Sequence, residues 1–97
     1  EPMIKIIARQ VVREECIEQY RVLARELVEK SRREAGCIHY QSLQGLTDRR
    51  IHIFVEEWKD QAAIEAHNAS EHFTRIVPQL GELFAGEEIV DLCTVDI

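Results

Sequence analysis

Cysteine is scarce and unpaired by number: Cys16, Cys37 and Cys93 are three, and no CxxC pair occurs. Neither a disulfide framework nor a zinc framework is readable from them, so three reduced, mostly buried thiols are expected. Proline and glycine are also few, 2 and 4 in 97 residues, and no Pro/Gly/Ser-rich linker, low-complexity stretch or internal repeat interrupts the chain. No apolar run approaches the ~18 residues that span a bilayer. The N-terminus shows no basic stretch followed by an apolar one, so no signal peptide is expected and the expected setting is cytoplasmic. Positive charge is in deficit, 12 Lys+Arg against 18 Asp+Glu for a net −6. That balance argues against a general nucleic-acid or membrane partner, either of which needs a basic surface. What remains is ordinary for a globular chain, 45% hydrophobic and 31% charged. A chain of this size makes one domain that buries about two-thirds of its unfolded surface. The domain is placed at 3–97, with Glu1 and Pro2 read as a remnant or a disordered start.

Periodicity sets out the elements. Met3 to Val12 alternates Ile4, Ile6 and Ala8 on one face and Ile7 and Val11 on the other, which predicts a strand covered on parts of both faces. Arg13 to Ala35 carries Cys16/Ile17, Tyr20, Leu23/Ala24, Leu27 and Ser31 at helical spacing, with Gly36 at the expected C′ position. Cys37–Leu43 and Arg50–Trp58 predict a hairpin around the polar break at 45–49. Asp60 is placed as N-cap of a short helix over Gln61–His67, and Ser70 as N-cap of a second helix. That second helix bears Phe73, Ile76, Val77, Leu80 and Leu83 or Phe84, and Pro78 is expected to kink or shorten it. Glu88–Val95 predicts the last strand.

The order β-α-β-β-α-β is the ferredoxin-like plan, an α+β fold with a four-stranded antiparallel sheet and helices on one face. The other face keeps apolar residues, and a homodimer joined through it is the simplest cover. Three stretches then align together. Glu34-Ala35-Gly36-Cys37-Ile38-His39-Tyr40 matches an E-x-G-C-x-x-Y junction, Phe54-Val55-Glu56-Glu57-Trp58 an F-x-E-x-W strand end, and the run from Ala63 through His67, Ser70 and His72 to Phe73 a helix break of the form L-x-A-H-x-x-S/T-x-H-F. In this order the chain resembles the antibiotic biosynthesis monooxygenase family, and especially its small quinol-monooxygenase-like branch. The resemblance implies a dimeric α+β barrel with a pocket between sheet and helices. It also implies oxidation of phenols and quinols by molecular oxygen without flavin, haem or metal. Other members degrade haem or isomerise small sugar-derived molecules. Members of antibiotic pathways carry a third-strand asparagine where this chain has Phe54. Haem-degrading members place a histidine ligand near Val77 and an asparagine on the first strand, and both are missing here.

His67 is the leading catalytic candidate. It shares a helical face with Ala63 and Ile64, and a neutral imidazole there could take the proton of a phenolic hydroxyl. The alternative is a buried ring that bonds a backbone carbonyl. His72, in the first turn of the following helix, is a second catalytic candidate or a surface residue. Five positions separate the two rings, about 140° on one helix, so no shared metal is expected. Trp58, Phe54, Glu56, Tyr40 and Ile64 are the expected pocket lining. Of these, Trp58 and Tyr40 have packing as the alternative, and Glu56 either orients His67 or His39 or pairs with an arginine. His39 and His52 read as partly exposed or interface residues. Three functions follow: a cofactor-independent monooxygenase of a small aromatic quinol or phenol; a small-molecule isomerase using His67 and His72; and a non-catalytic ligand-binding dimer.

Overall fold

The structure is a computed structural model and describes residues 2–97. Its elements run β1 (Ile4–Val11), a 3₁₀ turn (Glu14–Cys16), α1 (Ile17–Ser31), β2 (Cys37–Gln44), β3 (Ile51–Trp58), α2 (Gln61–Asn68), α3 (Glu71–Gly81) and β4 (Ile89–Cys93). The sheet order is β2-β3-β1-β4 and every pairing is antiparallel. This is the expected ferredoxin-like arrangement. Among the described residues no helix is long and apolar enough to cross a membrane.

Register decides what faces the helices. Ala8 opposes Phe54 on one side and Val90 on the other, and Ile6 opposes Glu56 and Leu92. With Tyr40 across from Glu56, these residues make the inner face of the sheet. Tyr20, Ala24 and Leu27 of α1 and Ile76 and Leu80 of α3 close over it, each less than 5% exposed. The inner face also holds two polar residues that their type would place outside. Gln10, 1% exposed, is paired through its amide with the Tyr20 hydroxyl at 2.6 Å. His52 is buried at 2%, not partly exposed as expected, because strand alternation carries it inward beside Tyr20, with ring centroids 4.6 Å apart.

Several boundaries differ from the sequence reading. Arg13 stands outside the helix, ahead of the 3₁₀ turn Glu14–Cys16 that precedes α1, and no side chain caps the start of either. The helix stops at Ser31, and Arg32 bonds the Tyr40 carbonyl through Nε at 2.8 Å. Gly36 is therefore not a helix cap, and no glycine among the described residues has a positive φ. Its role is close approach: a Cβ there would collide with the Ala63 methyl of α2, while its carbonyl accepts the Lys59 N–H at 3.0 Å. Pro78 lies within α3, which ends three residues later, short of Leu83. Of the thiols only Cys16 is buried; Cys37 is partly buried and Cys93 exposed.

Candidate active site

Two caps aim the site. Asp60 starts α2 by accepting the Ala63 N–H at 2.8 Å through Oδ1. Ser70 accepts the Phe73 N–H at 3.3 Å and donates its own hydroxyl to the His67 carbonyl at 2.7 Å. One serine thus ends α2 and begins α3. The chain turns at this point, and His67 and His72 converge instead of diverging as five positions on one helix would dictate.

They converge on Glu34, in the turn between α1 and β2. His67 donates from Nδ1 to Glu34 Oε2 at 2.7 Å, and His72 donates from Nε2 to the same oxygen at 2.8 Å. A carboxylate oxygen only accepts, so the proton of a neutral His67 sits on Nδ1 and the lone pair on Nε2. That Nε2 is buried and has no partner among the described residues. Burial is the main influence on the ring and lowers its pKa; the Glu34 hydrogen bond and charge oppose this, and His72 adds to the lowering. The ring therefore stays neutral to a lower pH than an ordinary histidine. The three side chains also place their ligand atoms within 4.8 Å of one another, the one described group that could hold a metal ion.

Beside them lies a cavity of about 320 Å³, within the range of small-molecule sites, between the inner sheet face and α2 and α3. Tyr40, Phe54, Glu56, Ile64 and His67 line it, with Phe73 and the exposed strand β4 contributing Val90 and Leu92. Trp58 and His72 do not line it. Trp58, wholly buried, lies behind the site: its ring stacks on His67 with centroids 4.4 Å apart, and its Nε1 donates to Glu56 Oε1 at 2.9 Å. Glu56 thus pairs with the indole rather than with a histidine or an arginine. His72 reaches the cavity only through Glu34 and His67. His39 is exposed on the outer side of β2.

Burial raises the Glu56 pKa to about 7, against the opposing hydrogen bonds from Trp58 and Tyr40. Burial and the Glu56 charge also hold the Tyr40 hydroxyl well above the tyrosine range, so it remains protonated. The cavity therefore presents a neutral imidazole beside a carboxyl that titrates near neutrality, two groups whose surroundings push them toward opposite roles. A stability consequence follows. Folding raises the Glu56 pKa, so its favourable contribution is complete below the unfolded value near 4.5 and is lost as pH rises through about 7. A Glu56→Gln variant keeps an oxygen for the indole and removes the buried charge. Its melting temperature should exceed wild type at pH 8, by an effect worth roughly 3 kcal/mol or less, and the gain should vanish at pH 4. An equal difference at both pH values would contradict this.

Glu34 is the functional candidate that residue-by-residue reading passed over. It stood in the E-x-G-C-x-x-Y stretch without a role, because its partners lie 33 and 38 positions away.

Comparison with known proteins agrees with this architecture. The antibiotic biosynthesis monooxygenase family model matches residues 3–79. YcnE of Bacillus subtilis (strain 168) is 32% identical over 83 residues, which cover 86% of this chain and 87% of that protein. A crystal structure described as an antibiotic biosynthesis monooxygenase superposes with TM-score 0.93 at 37% identity, covering 97% of this chain and 99% of the other. A conserved protein from Methanosarcina mazei Go1 does so with TM-score 0.92 at 32% identity, covering 95% and 91%.

Proposed function

The chain belongs to the antibiotic biosynthesis monooxygenase family, and from that premise we propose that it oxygenates a small aromatic quinol or phenol in the His67 cavity. The observation that carries this reading is the His67 ring, fixed at Nδ1 by Glu34 and free at Nε2, on the wall of a largely apolar cavity. The substrate ring would lie against Phe54, Ile64 and Phe73, with its hydroxyl toward His67. His67 Nε2 takes the hydroxyl proton, and the phenolate then gives electrons to molecular oxygen far more readily than the phenol does. For a hydroquinone the balance is one hydroquinone and one O₂ giving a hydroxyquinone and water. One oxygen atom enters the ring, the other leaves as water, and the substrate supplies all four electrons, so no bound cofactor is required. Glu56, titrating near neutrality, is placed to return a proton to the reduced oxygen. Oxygen uptake with a panel of hydroquinones and phenols tests the reading, with one O₂ consumed per substrate oxidised. No uptake above the protein-free rate across the panel would remove it.

The His67 and Glu56 pair also suits a second reading, isomerisation of a small molecule by proton transfer, with Glu56 rather than His72 as the partner acid because Glu56 lines the cavity and His72 does not. Conversion under strictly anaerobic conditions separates it from oxygenation.

The working unit is proposed to be a homodimer. The outer sheet face brings Ile7, Ile53 and Val55, half-buried, into one patch with the exposed Leu43 and Ile89. A patch of that kind is normally covered. Sedimentation velocity should give a dimer at micromolar concentration, with a buried interface above ~1,200 Å² in total. A monomer across the accessible concentration range would refute it.

A further inference from the structure

A second cavity, of about 370 Å³, lies on the opposite side of α1, over the far half of β2, and neither the oxygenation chemistry nor the first cavity uses it. Its walls carry Arg21 and Arg25 from α1, Arg32 from just past its end, Ser42 and Gln44 from β2, and His52 from β3. Three guanidinium groups on one cavity stand out in a chain of net charge −6. Arg21 and Arg25, like Arg9 and Arg33, make no ion pair and no side-chain hydrogen bond among the described residues, whereas Arg13, Arg49, Arg50 and Arg75 are paired with carboxylates. Arg32 spends its Nε on the Tyr40 carbonyl and keeps its terminal nitrogens. Glu29 is the one carboxylate on the wall and limits the positive excess.

His52 supplies the independent sign of a ligand. It is 2% exposed, its Nδ1 meets the Arg50 carbonyl at 3.0 Å, and its Nε2 is buried without a partner among the described residues. A carbonyl only accepts, so Nδ1 carries the proton and Nε2 offers a lone pair. Burial, with the Arg21 charge, lowers the ring's pKa and keeps that lone pair available. The wall therefore combines forked cationic donors, which match a phosphate, with a buried acceptor that needs a hydroxyl donor. A bare anion satisfies the first and leaves the second orphaned.

We propose that this cavity binds a small phosphate monoester bearing a free hydroxyl, with the phosphate on Arg21, Arg25 and Arg32 and the hydroxyl donating to His52 Nε2. The site is independent of the oxygenase reading, and its test needs no turnover. Glycerol 3-phosphate titrated into the intact protein by calorimetry should saturate with Kd below about 1 mM, the ordinary range for small metabolites. Methyl phosphate, which lacks the hydroxyl, should bind up to about tenfold more weakly, the worth of one neutral hydrogen bond. Arg21→Gln combined with Arg25→Gln, both on the exposed side of α1, should weaken glycerol 3-phosphate by about tenfold or more. His52→Phe and His52→Leu, which offer no acceptor, should bind the two probes alike, and the pair of variants guards against a packing defect in either one. No saturable binding, an unchanged Kd in the arginine double variant, or equal affinity of wild type for both probes would overturn the proposal. Co-sedimentation with phosphatidic-acid vesicles that the arginine double variant abolishes would overturn its small-molecule form in favour of a lipid headgroup.

Discussion

His67→Gln should lower kcat for hydroquinone oxidation by roughly 10²–10⁴-fold, the range associated with a positioned general base. Glutamine preserves the approximate size and one hydrogen bond but cannot accept a proton near neutrality. The fold should survive, because the helix end is held by Ser70 and not by the ring. Wild-type activity should rise with pH through the His67 pKa. Burial sets that pKa below the ordinary value near 6.5, so the acid limb should lie below that of an ordinary histidine, and an alkaline limb near pH 7 should follow as Glu56 loses the proton it returns. The variant's residual activity should lose this acid limb. Near-wild-type turnover in a folded His67→Gln dimer would return His67 to a packing role and transfer the search for a base to Glu56.

The elements were legible where one physical rule acts alone. Alternation along Ile4, Ile6 and Ala8 and along His52, Phe54, Glu56 and Trp58 fixes which side of each strand meets the helices. Asp60 and Ser70 announce their helices because an oxygen three residues before a free N–H is a local event. The inward direction of His67 was legible for the same reason, one turn from Ala63. Hidden features were those made by distant segments. Gly36 reads as a helix end until Ala63 is folded against it. Gln10 and His52 look like surface residues until Tyr20 arrives beside them. Trp58 reads as a cavity wall, but His67 and Glu56 stand in front of it. The cluster on Glu34 joins a turn, a helix end and a helix start, and no spacing rule links those three positions. Oxygenation itself was reached through resemblance, since neither periodicity nor charge names a substrate.

Glu34 tests that cluster most sharply, because it is argued to act only through His67. It does not touch the cavity, so its removal should leave KM for a hydroquinone nearly unchanged and fall on kcat. Two effects separate positioning from mere stability. Glu34 accepts from Nδ1 and so holds the proton away from the working nitrogen. In Glu34→Gln the amide can turn and donate to Nδ1 instead, which moves the proton to Nε2 and removes the base. A mixture of tautomers would cost about 10-fold, and full inversion up to ~10⁴-fold, as when a triad aspartate is neutralised. Glu34 also raises the His67 pKa through its hydrogen bond and charge, against the larger effect of burial. Its removal should therefore move the acid limb of the kcat profile to still lower pH. Glu34→Asp, which keeps the charge on a shorter arm, should recover part of the rate and return the limb toward wild type. A rate loss with an unmoved limb in Glu34→Gln would mean that Glu34 only braces the turn between α1 and β2, and that His67 owes its tautomer to something else.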